Sequence, residues 1–313
     1  MRIALTGATG FSGPFILQAL LAQGHKVVAL ARRPEALAGK DVQIVKGDLA
    51  NEAALATLVA GADAVLHVAG ATSAKNRAGF FQANLEGTRK LYAAARAAGV
   101  KRFVFISSIT AREPMLSPYG ASKAAAEHFL LGQTGGLEVL VLRPPAIYGP
   151  GDRATLPLMK ALEAKTAFVP GRKGSRFAIM HVKDFANVAT DAVTSARVGL
   201  VELDDCNGSY DWDMLAAEYR RITGLPERLV FIPKSVALAA AAAVEGYSRI
   251  ANRPSLTNTG KVNELYHRDW ATDGKGWPRD KSISLSQGLA ETLAWYRKEG
   301  WLPPLAQETR SQA

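Results

Sequence analysis

The sequence predicts a doubly wound α/β fold: a parallel sheet with helices on both faces, and a smaller, mostly C-terminal region beside it. Three observations predict it. Short apolar runs alternate with longer Ala-rich runs over the first 150 residues, glycines close the helical runs, and a glycine-rich turn joins the first apolar run to the first helix. In order, the strand candidates are Arg2–Leu5, Lys26–Ala31, Val42–Lys46, Ala64–Val68, Arg102–Ile106 and Glu138–Leu142. Helical runs fill the gaps at Phe15–Gln23, Glu52–Val59, Phe80–Ala98 and Pro118–Leu131, and Gly24, Gly61 and Gly99 stand where C-terminal caps are expected. After Arg143 the rhythm breaks. Pro144, Pro145, Gly149, Pro150 and Gly151 take the chain out of the sheet, and Val198–Leu203 is a candidate to return to it.

Length and composition narrow the class. A chain of 313 residues, 48% hydrophobic and 21% charged, can build a large core, which excludes disorder as a whole-chain description. The single cysteine, Cys206, excludes an intrachain disulfide framework and reads as a packing residue. No charged leader or cleavage signature precedes the first strand at Met1–Thr6, so cytoplasmic residence is expected. The five histidines, His25, His67, His128, His181 and His267, are scattered, and no metal site is expected. A net charge of +10 gathers in two stretches, 71–115 and 143–183, each with eight Lys or Arg against two acids. Without a nucleic-acid motif or interleaved aromatics, these read as solvated basic faces, with an anionic ligand or membrane surface as the alternative.

The chemistry begins in the turn Thr6-Gly7-Ala8-Thr9-Gly10-Phe11-Ser12-Gly13. Its glycines permit a tight turn, a close approach of backbone to pyrophosphate, and close helix–strand packing; the helix N-terminus adds unpaired N–H groups. Gly7, Thr9, Gly10, Phe11 and Gly13 are therefore candidate dinucleotide contacts, and residues 1–150 a dinucleotide-binding unit. At the end of the second strand Ala31 stands where an NAD site places a carboxylate, and Arg32 and Arg33 follow. Guanidinium groups suit a ribose 2′-phosphate, so the expected cofactor is NADPH (NADP). Asp48 and Leu49, after the third strand, are candidates to hold the adenine end. Tyr119 and Lys123 are four apart in a helical run and share a face. An ammonium there would lower the phenol from its ordinary pKa of about 10 and ready it for proton exchange.

These pieces resemble the extended short-chain dehydrogenase/reductase family, the NAD-dependent epimerase/dehydratase group, whose core is a Rossmann sheet. The resemblance rests on Thr6–Gly13, His67-Val68-Ala69-Gly70, Asn84–Thr88, Ser107-Ser108, Tyr119–Lys123, Arg143–Gly151 and His181-Val182-Lys183-Asp184. It implies Tyr119 as general acid/base, Lys123 as its electrostatic partner and a holder of the nicotinamide ribose, and Ser108 as hydrogen bonder to the reacting oxygen. Ser107 and Thr110 are the fallback hydroxyls. Asn84 would support the network, and Ala69 and Pro144 would touch the cofactor. Only ten residues separate Ser108 from Tyr119, a shorter lid than many members carry.

The C-terminal half, with Thr259–Leu265, Trp270, Gly288-Leu289, Trp295-Tyr296 and Gly300–Leu302, resembles the 3β-hydroxysteroid dehydrogenase-like branch. Residues 151–176 and 205–302 are expected to form the substrate-binding region, with a return segment near 177–204 and a polar tail at 303–313. The resemblance implies an NADPH-dependent oxidoreductase that reduces a ketone on a hydrophobic, lipid-like substrate, steroid-like or resembling an oxidised sphingoid or ceramide. Sugar-nucleotide enzymes of the group carry an arginine four positions before the histidine; here that position is Phe177, with Arg176 one residue off. A sugar-nucleotide epimerase or dehydratase is the alternative, as is a noncatalytic NADPH-binding subunit resembling the reductase-like accessory subunit of respiratory complex I. The run Val236–Val244 is too short to span a bilayer and suits a packing helix, a greasy pocket or a peripheral membrane contact. No nucleic-acid partner is expected, and the oligomeric state stays open.

Overall fold

The computed structural model describes residues 1–251, 258–274, 276–277 and 281–304, so most of the expected polar tail, 305–313, lies outside the described residues. Strands β1 (Arg2–Thr6), β2 (Lys26–Ala31), β3 (Gln43–Lys46), β4 (Ala64–His67), β5 (Arg102–Ile106) and β6 (Glu138–Arg143) all pair in parallel. Strand Gly199–Glu202 returns to the sheet beside β6. The order is Gly199–Glu202, β6, β5, β4, β1, β2, β3, so the winding reverses between β1 and β4. A crevice opens at the carboxyl ends of those two strands.

Alternation along each strand divides the core in two. Ile3, Leu5, Val27 and Ala29 point to one face and meet Ile16, Leu17 and Leu20 of α1 (Gly13–Ala22) and Phe185 and Val188 of the helix Val182–Thr194. Ala4, Val28 and Leu30 point the other way. There they meet Leu55 and Leu58 of α2 (Glu52–Val59), and further along the sheet the same face packs on helices following β4 and β5. Both faces are thus covered, as parallel sheets require. Gly24, Gly61 and Gly99 adopt φ of 76°, 64° and 72°, the left-handed caps that the helical runs call for.

The expected single helix over Phe80–Ala98 is three pieces: α3 (Arg77–Phe81), a π-helical turn over Gln82–Glu86, and α4 (Gly87–Ala97). The widened turn buries Asn84, and Gly87 then lets the helix sit on Leu49, where a Cβ would come within 2.8 Å. Helix α5 (Pro118–Leu131) opens with Ser117 as N-cap, its hydroxyl accepting from the Gly120 N–H at 2.9 Å.

A third cluster, built from Tyr148, Trp212, Tyr219, Leu289, Leu293 and Tyr296 among others, lies outside the sheet core. The run Val236–Val244 lies within a helix, Lys234–Ile250, and the helix Thr259–Leu265 packs against it. Cys206, expected to pack, is exposed in a turn at φ 69°. Among the described residues no helix is long and apolar enough to cross a membrane.

Candidate active site

The glycine turn sits at the mouth of the crevice between β1 and β4. Gly7 has φ 81°, and a Cβ there would lie 2.6 Å from the Ala69 nitrogen, so only glycine lets the turn close against the end of β4. Gly13 packs just as closely against the carbonyls of Gly7 and Ala8. Gly10 and Thr9 are exposed, and Phe11 rests edge-on against Phe15 at 6.4 Å. No side chain caps the start of α1 and no acid lies in its first turn, which leaves that positive end open to phosphate. These residues fit a dinucleotide. Arg32 and Arg33 are exposed where β2 ends, Asp48 is exposed with its carboxylate accepting from the Ala50 N–H at 2.9 Å, and Leu49 packs under α4. Pro144 is buried, its carbonyl accepting from the Ile109 N–H at 2.9 Å.

A buried chain of hydrogen bonds ties this turn to the π-helical turn. The Ala69 N–H donates to Thr6 Oγ1 at 3.1 Å, and Thr88 Oγ1 donates to the Asn84 carbonyl at 2.6 Å. Between them stands His67, 2.7 Å from Thr6 Oγ1 through Nδ1 and 3.0 Å from Thr88 Oγ1 through Nε2. Each hydroxyl has one proton. Since Thr88 gives its own to the carbonyl, His67 Nε2 must donate to it, and Nδ1 must accept from Thr6. The imidazole is therefore neutral, in agreement with burial, helped by the Lys123 charge, pushing its pKa down to about 3. Asn84 closes the circuit: its Nδ2 donates to Ser122 Oγ at 2.8 Å and to the Ala71 carbonyl at 3.1 Å, while its Oδ1 accepts from the Ala71 N–H at 2.7 Å.

Ser108, Tyr119 and Lys123 converge on the same side of β5. Of the three candidate hydroxyls, Ser108 is the one that acts on the Tyr119 phenol, and Thr110 Oγ1 donates to Ser108 Oγ at 2.9 Å. Ser107 faces away, its hydroxyl donating to Glu127. The alternation at the strand end separates them. Lys123 is buried; its Nζ donates to the Ile106 carbonyl at 2.8 Å and lies 4.7 Å over the Phe105 ring.

The expected lowering of the Tyr119 pKa by Lys123 is not what the structure shows. Burial dominates and pushes the phenol up to about 12, against a smaller lowering by the Ser108 hydrogen bond and with a further raising by Glu264. Burial also draws Lys123 down to about 8, although Glu127 opposes it. Tyr119 is thus a held proton donor near neutral pH.

Sequence reasoning missed two buried carboxylates. Glu127 extends the Tyr119–Lys123 face by one more turn; Arg143 grips it with Nε and Nη2 at 2.9 and 2.6 Å, reaches Glu202 at 3.1 Å, and Glu202 meets Arg112 at 3.3 Å. Its four-residue spacing from Lys123 was a legible signal. Glu264 is held by the Ser117 hydroxyl and by Lys261 at 3.1 Å, and no local pattern connects it to Tyr119. Its helix roofs the site. Gly260 packs so closely that a Cβ would lie 2.9 Å from Ser117 and 3.1 Å from Pro118, so the C-terminal region supplies cover that the short Ser108–Tyr119 segment lacks. The off-pattern Arg176 is exposed and paired with Asp269 at 2.8 Å, while Phe177 packs edge-on against Trp212 at 5.4 Å.

Fold and site define a nicotinamide-dinucleotide-dependent oxidoreductase. The chain belongs to the NAD dependent epimerase/dehydratase family, which it matches over residues 3–201. It is 39% identical over 310 residues to a ceramide reductase of Caulobacter vibrioides, covering 96% of each chain. It is 34% identical over 179 residues to a 3-beta-hydroxysteroid dehydrogenase of Mycolicibacterium neoaurum, about half of each chain at 49%. Among solved structures, the UDP-glucose 4-epimerase of Thermus thermophilus in complex with NAD superposes with a TM-score of 0.70 at 22% identity, over 95% of this chain and 99% of that one.

Proposed function

We propose that this protein is an NADPH-dependent reductase of a ketone on a hydrophobic, lipid-like molecule of ceramide or steroid type. The observation that carries the reading is a phenol held protonated beside a second hydroxyl, Tyr119 with Ser108, at the open end of a dinucleotide crevice. Bound NADPH would supply hydride to the carbonyl carbon. Ser108 donates to the carbonyl oxygen and orients it, and Tyr119 delivers the proton that the new alkoxide requires. Lys123, protonated, stabilises the phenolate left behind and is placed to hold the nicotinamide ribose. Gly7, Thr9, Gly10, Phe11 and Gly13 line the pyrophosphate turn, with Ala69 on its flank, Pro144 reaching the cofactor from the end of β6, and Asp48 and Leu49 toward the adenine. Arg32 and Arg33 select the 2′-phosphate.

The full-length similarity to a ceramide reductase supports the lipid-like substrate, and the pairing of Arg176 with Asp269 weakens a sugar-nucleotide reading. The test is NADPH oxidation against long-chain ketones, steroids and sugar nucleotides. Turnover on a long-chain or steroid ketone is the expected result. Tightly copurified NAD with sugar-nucleotide conversion and no net NADPH consumption would replace the reading with an epimerase.

A further inference from the structure

Of the two fallback hydroxyls, Ser107 is taken by Glu127, while Thr110, buried two residues beyond Ser108, is turned back onto it. Ser108 is extended, at φ −157° and ψ 150°, and caps the short helical turn Ile109–Arg112, so its Oγ accepts from the Thr110 N–H at 3.2 Å. The same Oγ accepts from the Thr110 hydroxyl at 2.9 Å. A serine hydroxyl has two lone pairs and one proton. Thr110 fills both lone pairs, one from its backbone and one from its side chain. The proton is all that Ser108 has left to offer, so toward the site it is a donor.

Thr110 is itself held from the other side. Its carbonyl lies against the first turn of α5, where a Cβ on Gly120 would come within 2.7 Å of it, so glycine at 120 admits the contact. The Ile109 N–H, donating to the Pro144 carbonyl at 2.9 Å, and the Ala111 N–H, donating to the Ser108 carbonyl at 3.0 Å, fix the turn around it. One residue thus reaches Ser108 through two hydrogen bonds and the helix of Tyr119 through its carbonyl. The consequence is a direction. With a lone pair of Ser108 open, the Tyr119 phenol could give its proton to the serine and hold it there, away from the reacting oxygen. With both filled, the phenol finds no acceptor in Ser108, in agreement with the lowering that the serine exerts on it. Two bonds accepted by one hydroxyl also strengthen the bond that it donates.

We propose that Thr110 is a positioning residue: its N–H and hydroxyl make Ser108 an obligate donor, which leaves the Tyr119 proton free for the alkoxide formed on the substrate. The reaction it serves rests on the proposed function; the direction of the hydrogen bonds does not. The test compares ketone reduction by the wild type, by Thr110→Val and Thr110→Ala, which remove the hydroxyl with and without its volume, and by Thr110→Ser, which keeps it. A donor to a developing alkoxide is worth about 10² to 10³ in kcat, and loss of its orienting partner should lower kcat about tenfold, with KM for NADPH unchanged. Thr110→Ser should regain most of that rate. In a Ser108→Ala background, Thr110→Val should add no further loss, because it acts through the serine. Wild-type kcat in Thr110→Val and Thr110→Ala overturns the proposal, as does a loss that adds in full to that of Ser108→Ala. A readout independent of turnover is the NMR resonance of the Tyr119 Cζ carbon in isotope-labelled protein, assigned with Tyr119→Phe. It should shift in Thr110→Val and keep its place in Thr110→Ser. A resonance unmoved in Thr110→Val overturns the proposal, whereas the expected shifts in a protein whose wild type reduces no ketone leave Thr110 in its role and remove the functional reading instead.

Discussion

Glu127 lies one helical turn beyond Lys123 and is the carboxylate that holds the Lys123 ammonium up against the burial that lowers it. Arg143 grips Glu127 with two prongs, so Lys123, Glu127, Arg143, Glu202 and Arg112 alternate in sign from the helix interior to the loop carrying Trp270.

Glu127→Gln removes that support while keeping an acceptor for Ser107. With the carboxylate gone, the Lys123 pKa falls below about 8, and ketone reduction, which needs the ammonium, is lost at lower pH than in the wild type. The alkaline limb of the kcat/KM profile checks the sign; a limb that stays in place refutes the link. Leaving Arg143 half-partnered in a buried site should also cost about 3 kcal/mol, read by urea unfolding.

Tyr119→Phe tests the proton donor. Ring packing against Phe80 survives while the transferable proton does not, so kcat should fall by about 10² to 10⁴ with dinucleotide binding retained. Normal turnover by this variant would end the proposed mechanism.

Arg32→Ala with Arg33→Ala tests the phosphate site. Each charge-assisted bond to a phosphate contributes about 1.5–3 kcal/mol, so NADPH should weaken at least about tenfold relative to NADH. Fluorescence titration with both cofactors measures the ratio.

His67 makes the fold sensitive to mild acid. Its folded pKa of about 3 lies below the unfolded value of about 6.5, so the folded state binds fewer protons and the stability it contributes is present above pH 6.5 and lost as pH falls. His25 and His181 are lowered as well and act in the same direction. Denaturant midpoints should decline from pH 6.5 to 5, each such proton adding a slope approaching about 1.4 kcal/mol per pH unit. A flat profile over that window contradicts the neutral assignment of His67.

What was legible in the sequence is what short-range patterns encode. Short continuous apolar runs marked β1 to β6, Gly24, Gly61 and Gly99 marked helix ends, and four-residue spacing set Tyr119 above Lys123. What escaped depends on contacts distant along the chain. The π-helical turn at Gln82–Glu86 is tied down through Asn84 by Ala71 and Ser122, partners 13 and 38 positions away. The upward shift of the Tyr119 phenol follows from burial, with a further push from Glu264 on a helix that begins at Thr259, and not from the lysine four residues away. Ser107 and Ser108 could be told apart only once Glu127 claimed one and Tyr119 the other.

The brace for the helix that carries the candidate proton donor arrives late in synthesis. The Ser117–Glu264 contact spans 147 positions, so a ribosome that has finished β1 to β6 has made the cofactor crevice's strands but not the helix that braces the start of α5 just ahead of the tyrosine. Premature termination before residue 264 would therefore release a chain with the glycine turn complete but with Ser117 lacking its distant carboxylate, the catalytic helix begun and left without its brace.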